Sequence, residues 1–294
     1  MYSVVGATGN TGRAAAEALL AAGKDVQVIG RSKDHLQPLV KQGAEAFVGS
    51  VEDPQAMTLA FSGAVGVYCL IPMRADAPNL RAYQKGVGES LAAAIHEAGV
   101  EHVVFLSSVG AQHKEGTGPI AGLREVEDRL NALDKVNVLS LRPGWFMENF
   151  FMSIDAIRNM GVLGTPVRGD IPIDPITTRD IGAYAARRLA DLDFSGNSSQ
   201  ELLGAASITM EEATRALGTA IGQPDLPYVQ LSYEDFGQAI LGMGMSQSAV
   251  KVATEMYRAF NDGLIVPEEE RSPENTTPTT IEEFAQTFAN VFNG

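Results

Sequence analysis

The chain has 294 residues, an apolar fraction of 45% with 20% charged side chains, and a formal net charge of −14. This composition suits a folded globule of one large or two modest domains and excludes a disordered chain. The negative charge excludes general attraction to nucleic acid or to an anionic membrane surface. No apolar run reaches the ~18 residues needed to cross a bilayer, and residues 1–6 lead straight into a strand, so the expected location is cytoplasmic.

The first element is a strand at Ser3, Val4 and Val5, followed by Gly6-Ala7-Thr8-Gly9-Asn10-Thr11-Gly12-Arg13 and an alanine-rich helix. Glycines at this spacing permit a tight turn, close approach of backbone N–H groups to a pyrophosphate and close packing of helix on strand. Ala15, Ala18, Leu19 and Ala22 then fall at helical spacing, Gly23 is a stop, and residues 26–29 form the next strand of a βαβ unit. That strand ends in Gly30-Arg31-Ser32-Lys33, where an NAD enzyme places an acid against the ribose hydroxyls. A guanidinium there can instead grip a 2′-phosphate, with Ser32, Lys33 and Arg13 close by, and so favours NADP(H).

Further strand patterns lie at 46–48, 65–71, 102–107 and 136–141, with helical patterns between most of them. The single cysteine, Cys69, falls inside the apolar run at 65–72 and reads as a buried strand residue. Residues 84–98 form an alanine-rich helix stopped by Gly99. Strands alternating with helices predict an α/β fold, a Rossmann-type doubly wound parallel sheet, with its ligand beyond the C-terminal strand ends.

After about residue 145 the strict alternation breaks up into short helices and Gly/Pro turns such as 161–166 and Ile171-Pro172-Ile173-Asp174-Pro175. This divides the chain into a dinucleotide-binding domain at 1–150 and a smaller mixed substrate-side portion at 151–294, with 175–192 packing back on the sheet. Met243, Met245, Met256, Tyr257 and Phe260 read as core or as a pocket wall. Residues 262–294 carry seven acids and one base, so no basic nucleic-acid surface arises there.

Several stretches together resemble the NmrA-like family, an atypical branch of the short-chain dehydrogenases/reductases. They are Gly6-Ala7-Thr8-Gly9-Asn10-Thr11-Gly12, Val104-Phe105-Leu106-Ser107-Ser108-Val109-Gly110, Leu141-Arg142-Pro143-Gly144-Trp145-Phe146-Met147-Glu148-Asn149, Thr178-Arg179-Asp180-Ile181-Gly182 and Glu274-Asn275-Thr276-Thr277-Pro278-Thr279-Thr280. The resemblance implies an NADP(H) site. Gly6, Thr8, Gly9, Asn10, Thr11 and Gly12 would cradle the phosphates, and Arg31 would take the 2′-phosphate. Leu70, Ile71 and Pro72 would border the adenosine. Ser107 and Ser108 would lie near the nicotinamide ribose, and Pro143, Gly144, Trp145 and Phe146 would back the ring. Trp145, Phe146, Asn149 and Phe150 would lead into a cleft suited to a flat conjugated acceptor.

Two positions depart from the family pattern. Gly49-Ser50-Val51 stands where such proteins often carry Gly-Asp beside the adenine, and no Tyr-x-x-x-Lys occurs anywhere. In Gly122-Leu123-Arg124-Glu125-Val126-Glu127, Leu123 occupies the position of the lysine that many relatives carry. A dedicated proton donor is therefore missing, which disfavours carbonyl reduction more than reduction of a quinone that takes its proton from water. The remaining donor candidates are Ser108, His113 and Lys114. No metal-ligand cluster and no Gly-x-Ser-x-Gly elbow is present. Two functions fit: an NADPH-dependent reductase of a quinone-like or conjugated small molecule, or a redox sensor reporting cofactor state to a protein partner. Either could be a monomer or a homodimer.

Overall fold

Pairs of adjacent apolar residues set the two faces of the central sheet, because neighbouring side chains on a strand point to opposite sides. In the computed structural model, which describes residues 1–294, β1 (Tyr2–Val5), β2 (Val26–Gly30), β3 (Glu45–Val48), β4 (Gly66–Cys69), β5 (His102–Leu106) and β6 (Asn137–Pro143) are all parallel. Val4, Val28, Tyr68, Val104 and Leu139 pack on one face; Val5, Ile29, Cys69, Phe105 and Val138 pack on the other. Burial on both faces is what a parallel sheet covered by helices requires.

The helices between these strands are α1 (Asn10–Ala21), α2 (Lys33–Val40), α3 (Pro54–Phe61), α4 (Leu80–Ala98) and α5 (Pro119–Asn131). Beyond β6 come the short β7 (Trp145–Phe146), a 3₁₀ turn (Met147–Ser153), α6 (Ile154–Met160), β8 (Leu163–Thr165), β9 (Pro172–Ile173) and β10 (Pro175–Ile176). Then follow α7 (Thr178–Asp191), β11 (Asn197–Leu202), β12 (Ile208–Thr209), α8 (Met210–Ala220), β13 (Tyr228–Gln230), α9 (Tyr233–Gly242), α10 (Gln247–Asn261) and α11 (Ile281–Asn293).

The strand order β11-β6-β5-β4-β1-β2-β3 reverses direction between β1 and β4. That reversal opens a crevice above the strand ends. Its outermost strand, β11, is the polar run Asn-Ser-Ser-Gln-Glu-Leu, which carries no strand pattern but pairs parallel with β6 from Asn197↔Val138 to Leu202↔Pro143. Just before it, α7 lies against α1 on the face of Val4. A Cβ on Gly182 would sit 2.5 Å from that of Ala14, so only glycine allows this helix contact. The sheet and its cover thus draw elements from both sides of residue 150.

The remaining elements build a second core around Trp145, Phe150, Met210, Leu217, Phe284 and Phe288. Three two-stranded pairings, β7–β10, β9–β12 and β8–β13, tie its loops together. No helix is long and apolar enough to cross a membrane.

Candidate functional site

The glycine turn forms the floor of the crevice. Gly6 adopts φ +68°, a left-handed conformation that side chains resist, and its carbonyl accepts from the Gly9 N–H at 2.9 Å. Gly12 packs so closely on this turn that a Cβ would lie 2.3 Å from the Gly6 oxygen. Gly9 caps α1 without any side-chain bond, and no acid lies in the first turn. The N–H groups at Asn10, Thr11 and Gly12 are therefore left to an outside acceptor at the positive end of the helix.

Beside the turn lies a cleft of about 440 Å³ between the ends of β1, β2, β3 and β4. Gly6, Thr8, Gly30, Arg31 and Pro72 are among its walls. Arg31 is exposed and makes neither an ion pair nor a side-chain hydrogen bond to the protein. Ser32 caps α2 without a side-chain bond and Lys33 is exposed beside it; both are adjacent to the cleft wall rather than part of it. Leu70 covers Gly6, its side chain 3.1 Å from where a Cβ would stand, and Leu70, Ile71 and Pro72 are all half-buried.

At the far end, β5 and β6 deliver a second group of residues. Ser107 is 3% exposed and its hydroxyl has no partner. The Ser108 hydroxyl donates to the Val109 carbonyl at 2.9 Å. Val109 N–H reaches the Pro143 carbonyl at 3.0 Å, and Gly144 passes so near Asp174 that a Cβ would meet its oxygen at 2.3 Å. Phe146 is half-buried against the α1/α7 core. Trp145 and Phe150, 6% and 1% exposed, belong to the second core, where Trp145 meets Phe150, Tyr257 and Phe260 with ring centres 5.4 to 6.4 Å apart. The buried Trp145 indole N–H has no partner, and Asn149 is exposed on the 3₁₀ turn.

Glu148 fastens that turn to the start of α7. Its carboxylate accepts the Thr178 N–H at 2.9 Å and the Thr178 hydroxyl at the N-terminus of α7. Burial pushes its carboxyl above the usual glutamate range, and the Thr178 hydrogen bonds offset part of that rise. His113 is half-buried and Lys114 exposed in the loop before α5, with no side-chain partner for either. Arg124 is committed to Asp128 at 2.9 Å and to the Ala111 carbonyl.

Glu52, Arg74, Tyr83, Met243 and Gly244 also line the cleft. None of them carries a motif. Met243 and Gly244 come from the α9–α10 loop, more than 200 residues from the glycine turn along the chain, and are held by Ser246, whose N–H donates to Ala75 O at 2.8 Å.

The reversed strand order and the glycine turn below the crevice define a Rossmann-type α/β protein. Within that class the chain belongs to the NmrA-like family, whose sequence model matches residues 2–285. An NAD(P)H azoreductase of Xenophilus azovorans is 27% identical over 289 residues, 98% of this chain and 96% of that one. An NADPH-dependent quinone oxidoreductase of Escherichia coli, solved with NADPH, superposes with a TM-score of 0.82 at 23% identity, over 98% of this chain and 99% of that one. A triphenylmethane reductase of Citrobacter sp., solved with NADP(H), gives 0.79 at 19% identity over 98% and 99%. The likeness to the solved structures is one of fold.

Proposed function

We propose that the chain binds NADP(H) across the crevice and passes hydride to a flat, conjugated small molecule such as a quinone or an azo dye. The observation that carries this reading is the uncapped, glycine-lined N-terminus of α1 opening on a cleft that holds the unpartnered Arg31. The residues present fit the cofactor. Gly6, Thr8, Gly9, Asn10, Thr11 and Gly12 would hold the pyrophosphate, and Arg31, flanked by Ser32 and Lys33, the 2′-phosphate. Leu70, Ile71 and Pro72 would border the adenosine. The orphaned Ser107 hydroxyl, with Ser108 and the backbone at Pro143 and Gly144, would bound the nicotinamide end. When bound, the reduced nicotinamide supplies the hydride.

The chain's own contribution is orientation and exclusion of water. Phe146 and Asn149 stand where the acceptor would enter, while Trp145 and Phe150 stiffen the wall from within the second core. No side chain offers an evident proton relay: Ser108 is engaged with its neighbour's carbonyl, and His113 and Lys114 sit on a loop. An acceptor that takes its proton from water suits such a site. The relatives named azoreductase, quinone oxidoreductase and triphenylmethane reductase support this substrate class.

The test is NADPH absorbance against time with stoichiometric protein and a panel of quinones, azo dyes and conjugated enones, cofactor binding being followed separately by fluorescence. Protein-dependent oxidation with one acceptor class is expected. Arg31→Ala should weaken NADPH binding by about tenfold, roughly the value of one charge-assisted contact, and leave NADH binding unchanged. Tight NADPH binding without oxidation across the panel would replace the reductase with a redox sensor.

A further inference from the structure

The cleft holds more charge than a single phosphate-binding arginine. Arg74, on the loop after β4, grips Glu52, on the loop after β3, with Nη1 donating to Oε2 at 2.8 Å and to Oε1 at 3.0 Å. Asp76 stands 3.8 Å from the Arg74 Nε, and the Arg74 guanidinium carbon lies 5.4 Å from the centre of the Tyr83 ring. All four residues line the same cleft as Arg31. Burial raises the Tyr83 phenol above its ordinary range, Glu52 raises it further, and Arg74 and Arg31 pull it back.

The Arg74 and Glu52 side chains are 42% and 47% exposed, so the pair faces water and is held together weakly. Any dinucleotide phosphate entering here meets two guanidiniums, of which one is free, and two carboxylates. Glu52 acts against it in two ways: its charge repels the dianion, and both of its oxygens engage the Arg74 Nη1 that could otherwise donate to the phosphate.

We propose that Glu52 and Arg74 set the selectivity of the site for a 2′-phosphate: Arg74 is a second phosphate-binding cation, and Glu52 restrains it so that phosphorylated and unphosphorylated dinucleotides are both accepted. This rests on the dinucleotide reading of the cleft. Arg31 together with an unrestrained Arg74 would enforce a strong preference for the phosphorylated ligand. Glu52 lowers that preference without removing the site, acting as a positioning residue on Arg74.

The experiment is calorimetric titration of the full chain with 2′-phospho-ADP-ribose and with ADP-ribose, which need no turnover. Glu52→Gln keeps the shape and removes the charge. It should tighten the phosphorylated ligand by about three- to tenfold, while ADP-ribose stays within about twofold. Arg74→Gln should weaken the phosphorylated ligand by a similar factor, again without moving ADP-ribose, and Glu52→Asp should keep the wild-type ratio. An unchanged ratio in both Gln variants, or equal shifts for both ligands, would overturn the selectivity assignment while leaving the cofactor site standing. Failure of the wild-type chain to bind either ligand would overturn the dinucleotide reading and this inference with it.

Discussion

Gly12 shows how a single missing atom decides a site. A Cβ there would press within 2.3 Å of the Gly6 carbonyl and 2.9 Å of that of Val5, both backbone atoms with no room to yield. Gly12→Ala should abolish dinucleotide binding measured by fluorescence and lower stability by about 1–3 kcal/mol in urea unfolding, the usual cost of overpacking. This feature is legible in the sequence because the geometry is local. Cys69 is legible for a similar reason: its apolar strand context leads to complete burial, and burial pushes its thiol up to about 12. In the native protein it should resist alkylation by iodoacetamide over hours and react fully in denaturant, as read by mass spectrometry. Trp145 and Phe150 are different. Their sequence context is equally consistent with a cleft wall and with a core, and their place inside the second core depends on helices contributed 60 to 140 residues later.

At the scale of elements, α10 links the two ends of the crevice. Its N-cap Ser246 accepts the Ala249 N–H at 3.1 Å, donates its hydroxyl to Ala77 O at 2.6 Å, and holds the α9–α10 loop on the lip that carries Arg74. Ser248 adds a bond from the Leu80 N–H at 3.0 Å. Toward its other end, Tyr257 and Phe260 pack on Trp145. Ser246→Ala removes a helix cap and a tether at once, and should cost about 1–2 kcal/mol. Hydrogen exchange should speed up at 72–80 and at the start of α10, with β1 and α1 unaffected. The helical pattern of α10 is visible in the sequence, and its docking partner is not. β11 is hidden for another reason: an edge strand satisfied by backbone pairing with β6 needs no apolar alternation, so Asn197–Leu202 carries no strand pattern.

Across the whole molecule, buried charge ties the layers together. Arg142 on β6 and Glu127 on α5, 8% and 2% exposed, form a two-point pair at 3.0 and 2.6 Å. Glu127→Ala would strand the guanidinium and should cost about 3–5 kcal/mol, measured by urea unfolding. On the neighbouring β11, Glu201 is 2% exposed and accepts the N–H groups of Glu268 and Glu269 at 3.0 and 2.9 Å. Burial raises its carboxyl above the ordinary 4.5, and those donors only partly offset the rise. A carboxyl raised in the folded state binds its proton more tightly there than in the unfolded chain. Its contribution to stability therefore grows as pH falls from the raised value toward 4.5, and is least favourable at neutral pH. The stability of Glu201→Gln relative to wild type should accordingly decrease between about pH 7 and about pH 5 in paired urea titrations.

The glycine turn, Arg31 at the end of the second strand and the alternation of six strands with helices all follow from local pattern, because backbone freedom, charge and side-chain period are properties of short segments. So the sequence by itself determined the fold class and the position of the glycine turn at the floor of the crevice. Only the tertiary structure decided that β11 closes the sheet, that Trp145 and Phe150 turn inward, and that Glu52, Arg74 and Met243 converge on one cleft with Arg31. Those outcomes depend on packing between segments far apart in the chain, and no local pattern encodes which distant surface a residue will meet.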